Sequence, residues 1–322
     1  MSNKPPKKSS VPSIQSPVFS PQSPITGPRS LKLLATHGAP VYALATGDSD
    51  EWIFTGGGDK IVALWNVKDG TQHPFTIKTD ASIFSLAYHA LEKIVFIGCS
   101  NGVLHAIDTV SKRERRAWTL DAAGVFDLKW DIVGNRLLVA GGSGILTVID
   151  SQTLEVIRSI PLSDAKLRRV AVRAEDNLLA VADSHGLVHV LEAETLQTIE
   201  TIRAHEEGCT AVLWHPEKSV LITGGKDAMI RCWNAANQFK QVFHFAAHLS
   251  TIYDIIYHKE SNSIVTCSRD KTVKWWKPDT FDPIQKIDFS AGGHKHSVNR
   301  LLGQGSFVVS ASDDRNVILF GV

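Results

Sequence analysis

From residue 31 onward the chain is filled with short apolar runs, alternating or rich in β-branched residues, each bounded by turn chemistry such as HPEKS, GGKD or NAANQ. Such runs predict half-buried strands. One run returns at a nearly fixed distance. VALWN ends at Asn66, LHAID at Asp108, LTVID at Asp150, VHVLE at Glu192, IRCWN at Asn234, VKWWK at Lys277 and VILFG closes at Gly321. Seven units therefore share one design, and four short strands with their turns fit each of them. Four-stranded units repeated radially at about this period make a β-propeller. The predicted fold is all-β: a seven-bladed β-propeller of four-stranded antiparallel blades.

The first strand of each unit carries a finer signal. Apolar residues fall three apart at Val41 and Leu44, Ile83 and Leu86, Val125 and Leu128, and Leu167 and Val170; Cys209 and Val212, Ile252 and Ile255, and Val298 and Leu301 continue the series. A flat strand has a side-chain period of two, so a spacing of three on one face requires an extra residue, a β-bulge. The residue just after the first apolar one is then free to point at the mouth of the central channel. In order these are Tyr42, Phe84, Phe126, Arg168, Thr210, Tyr253 and Asn299.

The last unit reaches only its third strand, VILFG, while LKLLAT at 31–36 precedes the first unit without a place in it. Pairing the two completes the last blade and closes the ring, which would otherwise present two apolar edges. The strand at 31–36 is thus expected to complete the seventh blade.

A polar set recurs at constant offsets: His37, Thr55, Asp59 and Trp65; His205, Thr223, Asp227 and Trp233; His248, Thr266, Asp270 and Trp276. The seventh unit has His294, Ser310 and Asp314 with Phe320, two residues shorter. A hydroxyl, a histidine and an aspartate invite a hydrolase reading, but catalysis needs one such set and this one is repeated, so the residues read as structural. The pattern resembles the WD-repeat family of β-propellers over about residues 31–322, most closely in units 1, 5, 6 and 7. The resemblance implies that indole, hydroxyl, imidazole and carboxylate form a buried hydrogen-bonded chain tying the loop that enters a blade to the turn between its second and third strands. It also implies peptide binding on the face that carries the seven channel-mouth positions.

Units 2 to 4 depart from the pattern. Ile107, Ile149 and Leu191 stand at the Trp position, Asn101, Ser143 and His185 at the Asp position, and no histidine opens any of the three. An apolar residue can fill the Trp slot when its polar partners are lost with it. AGGSGILTVIDSQTLEVIRSI at 140–160 faintly resembles another propeller family, the lactonase-like or YVTN type.

Composition sets limits. The chain has 322 residues, is 43% hydrophobic and carries a formal charge of +1, enough apolar content for a large core and too little charge for a strongly basic nucleic-acid surface. Residues 1–30 hold seven of the 13 prolines and basic Lys4, Lys7, Lys8 and Arg29 without an acid. They read as a Pro/Ser-rich disordered tail, with Ser16, Ser20 and Ser23 before prolines as candidate phosphorylation sites, ahead of a propeller at 31–322. No apolar run reaches the roughly 20 residues that cross a bilayer, and Cys99, Cys209, Cys232 and Cys267 lack metal or redox spacing. A reduced, cytoplasmic protein is expected, monomeric on its own.

Other chemistry is thin. His294 and His296 could be half a metal site but lack a further ligand nearby in sequence; His89, His215 and His258 recur at the end of the first strand and read as turn residues. No cofactor and no metal is expected. The function expected is a non-enzymatic scaffold binding a peptide or partner protein around the channel, through Tyr42, Phe84, Phe126, Lys166, Arg168, Lys226, Tyr253 and Arg269. The competing readings are a lactonase-like enzyme, which needs titratable groups converging at the channel, and a scaffold touching RNA through the tail and the Lys166, Arg168 and Arg169 cluster.

Overall fold

A computed structural model describes residues 30–321; the tail, with its candidate serines, lies outside them. The described residues form seven antiparallel four-stranded sheets. Six are contiguous in sequence. Blade 1 runs through Val41–Thr46, Trp52–Gly57, Ile61–Asn66 and Gln72–Lys78. The seventh takes Val298–Gln304, Phe307–Ser312 and Asn316–Gly321 from the end of the chain and Ser30–Thr36 from its beginning. Leu33 stands opposite Ile318 and Lys32 opposite Leu319, so the ring closes as the unassigned LKLLAT predicts, one residue longer at its start. Two short 3₁₀ turns, Ala235–Asn237 and Phe289–Ala291, interrupt the β pattern, and no helix among the described residues is long and apolar enough to cross a membrane.

The apolar alternation of the strands is used between blades. Seven buried clusters each join one sheet to the next: Ala43 and Phe54 of blade 1 pack with Ile83, Leu86 and Val95 of blade 2. At the seam Leu34 joins Val41, Leu44 and Ile53 to Val309, Val317 and Leu319. A blade buries both faces, which is why second strands such as Ile94–Cys99 are apolar throughout rather than alternating.

All seven inner strands carry the bulge. The register slips between Val41 and Ala43, Ile83 and Ser85, Val125 and Asp127, Leu167 and Arg169, Cys209 and Ala211, Ile252 and Asp254, and Val298 and Arg300. The residue skipped is in every case the one the spacing assigns to the channel mouth.

Candidate functional site

The polar sets close up as chains. In blade 1 the Trp65 indole N–H donates to Thr55 Oγ1 at 3.0 Å, Thr55 Oγ1 lies 2.8 Å from His37 Nε2, and His37 Nδ1 lies 2.8 Å from Asp59 Oδ2. Trp233, Thr223, His205 and Asp227 repeat the order in blade 5, and Trp276, Thr266, His248 and Asp270 in blade 6. In blade 7 Ser310 and Asp314 flank His294 at 2.7 and 3.0 Å while Phe320 fills the indole's place. An indole can only donate, so the hydroxyl accepts from it, and the imidazole joins that hydroxyl to the carboxylate through its two ring nitrogens. The carboxylate also accepts the backbone N–H of Gly38, Leu249 or Lys295, which pins the loop entering the blade.

Burial, against the neighbouring carboxylate, pushes the His205 and His248 imidazoles below their ordinary value. Burial would raise Asp227 and Asp314, but the hydrogen bond from histidine holds each down at about 2. The histidines have the earlier consequence. The unfolded chain takes up a proton near 6.5 while the folded one resists it, so stability is lost as pH falls below that value. The carboxylates lose their share only further down, from 3.8 through about 2. Thermal melts should therefore show Tm falling between pH 7.5 and 5; a Tm flat across that window contradicts the lowered titration of His205 and His248.

In blades 2 to 4 the polar connection is rebuilt from other residues. Thr79 occupies the histidine position of blade 2 and donates to the Ala81 carbonyl at 2.8 Å. In blade 3 the acid changes sides: Asp121 stands where histidine would and accepts the Ser143 hydroxyl and backbone N–H, both at 2.7 Å. In blade 4 Ser163 donates to Asp183 at 2.7 Å, with His189 at 3.3 Å from the same carboxylate oxygen. The Trp-slot residues Ile149 and Leu191 are fully buried, and the hydroxyl below them is replaced too, by Val139 and Val181. The expectation that the polar partners vanish with the indole thus holds for the hydroxyl and fails for the loop-to-turn bond, which blades 3 and 4 re-form, while in blade 2 Thr79 bonds within its own loop. The turn keeps its left-handed residue: Gly102 holds φ +80° where Lys60, Ala228, Lys271 and Arg315 also have positive φ, and a Cβ on Gly102 would lie 1.2 Å from the Asp121 carbonyl oxygen.

His215 and His258 accept turn N–H groups at Nδ1, and His89 does so from Glu92. His294 is engaged with Asp314 and Ser310, and among the described residues no group of three or more His, Cys, Asp or Glu side chains is placed to hold a metal.

The seven bulge residues share one cavity of about 380 Å³, lined also by Arg169 and Asp313. Tyr42 meets Phe84 edge-on at 5.8 Å between ring centroids, and Phe84 stacks on Phe126 at 5.3 Å. The Arg168 guanidinium carbon lies 4.8 Å from the Phe126 centroid and Lys166 Nζ 5.5 Å from it. The Phe126 face is thus covered by the chain's own arginine. Thr210 is inward-turned, its hydroxyl donating to the Gly224 carbonyl at 3.2 Å. Lys166, Lys226 and Arg269 are exposed and stand outside the cavity wall.

Beneath the mouth is a layer that the strand spacing does not reveal. The residues following the bulge include Asp127, Arg169, Asp254 and Arg300, from blades 3, 4, 6 and 7, and they meet across the channel. Arg300 Nη2 lies 2.6 Å from Asp127 Oδ1, and Arg169 Nε 3.2 Å from Asp254 Oδ1. Each carboxylate also accepts a strand N–H, Val170 to Asp127 and Leu301 to Asp254. Burial pushes both carboxyls up, against the pull of Arg169. Burial would lower Arg169, but Asp254 and Asp127 hold it above its ordinary value. The channel therefore does contain carboxylates, contrary to a reading of the mouth ring alone. They are tied to two arginines and to the backbone N–H groups of Val170, Leu301 and Ile255. The layer divides the mouth from a wider cavity of about 670 Å³ on the opposite face, which Trp130, Trp214 and Tyr257 help to line. The one signal in sequence is a charge one position after the bulge in four strands that are otherwise largely apolar.

The WD domain, G-beta repeat family matches residues 28–66, 196–234, 239–277 and 284–320, the regions of blades 1, 5, 6 and 7, where histidine, hydroxyl and aspartate are joined and all but blade 7 add the indole. The chain is similar to the nuclear distribution protein nudF of Aspergillus oryzae, 26% identical over 125 residues, 37% of this chain and 26% of that protein. It is also similar to striatin-3 of Homo sapiens, 24% identical over 138 residues, covering 37% of this chain and 17% of that protein. Protein HIR1 of Eremothecium gossypii is 31% identical over 71 residues, 22% of this chain and 8% of its own length. The matches span about a quarter or less of these relatives. With the repeats, their offsets and their hydrogen-bonded chains all in place, the chain belongs to the WD-repeat β-propellers.

Proposed function

We propose that this propeller is a non-enzymatic scaffold that holds a peptide or partner protein on the face around the channel mouth. The observation that carries the reading is that all seven bulge residues line a single cavity, three of them as a continuous aromatic run ending on Arg168. Rigid rings present large contact area at low entropic cost, and an arginine supplies directed donors for a carboxylate or phosphate. The polar chains and the charged layer below keep this rim fixed. Four buried free cysteines suit a reducing compartment such as the cytoplasm, and the fold needs no second copy to cover its sheets.

The alternative of a lactonase-like enzyme draws on Asp127 and Asp254, but a general base must be free to take a proton and both are engaged on every side. RNA contact would have to run through exposed Lys166 and the tail, and binding would then fall steeply with salt.

The test is capture of partners by the purified full chain, with two variants. Phe126→Ala and Arg168→Glu should each lose partners that the wild type retains, at unchanged Tm. Both variants keeping every wild-type interactor would remove the mouth as the docking surface.

A further inference from the structure

The mouth is electrically two-sided. On the blade 4 side, Arg168 lies against Phe126, and among the described residues no carboxylate pairs with it; the arginine below it, Arg169, has both aspartates of the channel layer. On the opposite side, Asp313 lines the cavity with Tyr42 and Tyr253. It accepts a hydrogen bond from Asn299 at 2.8 Å, and no basic side chain among the described residues forms an ion pair with it. Its charge reaches both phenols: burial first, then Asp313, raises Tyr42, and Tyr253 is raised by burial with Asp313 adding to it against Arg269. The mouth therefore holds an unpaired cation and an unpaired anion in one cavity of about 380 Å³, and the two do not neutralise one another.

Resting on the reading of this mouth as a peptide site, we propose that the segment it takes carries a basic and an acidic group close together in sequence. The base meets Asp313 between Tyr42 and Tyr253, and the acid meets Arg168 over Phe126. A neutral apolar segment would desolvate both charges of the mouth with nothing in return, and a segment with one charge would leave the other buried and unpaired. A segment with both satisfies each where it stands. An ammonium or guanidinium suits a carboxylate flanked by two phenols, through charge and through the ring faces. A carboxylate or phosphate suits the forked donors of an arginine already held flat against a ring.

The probe is a phage-displayed library of random dodecapeptides, panned on the full chain. Selected peptides whose binding is lost in Phe126→Ala should be enriched in a base and an acid near one another. Capped synthetic copies should weaken about tenfold towards the wild type when the acid is made neutral. Arg168→Gln should not distinguish the two forms, and Asp313→Asn should likewise be indifferent to the base; both substitutions are mild enough to keep the fold, which a melt checks. A copy with phosphoserine in place of the acid tells the sources apart: tighter binding assigns a phosphate to Arg168, weaker binding a carboxylate. If Phe126-dependent peptides bind equally well with either charge removed, the charge pairing is wrong and the docking surface stands. If no selected peptide depends on Phe126, the docking surface itself falls, and the pairing with it.

Discussion

Deleting residues 31–36 should lower the melting temperature of the whole propeller by about 10 °C or more, while deleting 1–28 should leave it unchanged. The strand Ser30–Thr36 supplies the outer ladder of blade 7, from Ser30 opposite Gly321 to Thr36 opposite Asn316. It also reaches the neighbouring blade. Leu34, 5% exposed, belongs to the apolar cluster that holds blade 7 to blade 1, and Lys32 Nζ donates to the Lys68 carbonyl at 3.1 Å. The backbone of His37, at the end of the strand, donates to the Arg315 carbonyl at 2.9 Å. Burial of one leucine is worth about 1.5–3 kcal/mol and each net hydrogen bond about 1, so the loss is on the order of 5 kcal/mol or more. It falls at the only seam the ring has, where no covalent continuity holds neighbouring strands of a sheet together. A truncated protein would also expose the edge of Asn316–Gly321 and should aggregate on heating. Equal melting temperatures for the full chain and for 37–322 would show that blade 7 closes without its fourth strand.

The features that were legible in sequence are those generated by repetition. A spacing of three between Val41 and Leu44 means little once; seven occurrences specify a bulge, and all seven bulges are found. The mouth ring follows from that spacing. The chains His37–Thr55–Asp59–Trp65 and their copies are likewise visible as offsets, because every partner lies within one unit. What escaped are interactions that repetition does not generate. Arg300 and Asp127 stand 173 residues apart and meet only because the ring brings blade 7 across from blade 3. Read singly, each is one charged residue on a strand. The bond between Asp121 and Ser143 was hidden for a different reason: the carboxylate and its donor exchanged places, so the fixed offsets place Ser143 but do not show its partner. Of the residues directly before a turn aspartate, Asp313 lines the cavity while the exposed Lys226 and Arg269 do not, so the offset alone does not tell which side chains reach the channel.

Replacing Asp127 by alanine should be among the most damaging single changes in the protein, costing about 3–5 kcal/mol. Asp127 is 2% exposed and receives Arg300, Arg169 and the Val170 N–H. Arg300 already has one buried guanidinium nitrogen, Nη1, without a hydrogen bond; without Asp127 it would rest on a single long contact, 3.7 Å, to Asp254. The loss is chiefly the penalty of an uncompensated buried cation, not the worth of a lost bridge, and the two accounts separate in a double mutant. Arg300→Met alone leaves Asp127 with Arg169 and should cost less. Asp127→Ala combined with Arg300→Met should be markedly more stable than the sum of the single effects, because each change removes the charge that the other strands. Additivity to within about 0.5 kcal/mol would reject this explanation. The layer is also the floor of the mouth: Asp127 follows Phe126 and Arg169 follows Arg168 directly along their strands. Asp127→Ala should therefore weaken capture at the mouth even below its melting temperature, whereas an equally destabilising change in the outer strands, such as Phe75→Ala, should not. That contrast ties the neutral, cross-braced layer to the positioning of the rim, because it sets the same loss of stability against two different distances from the partner.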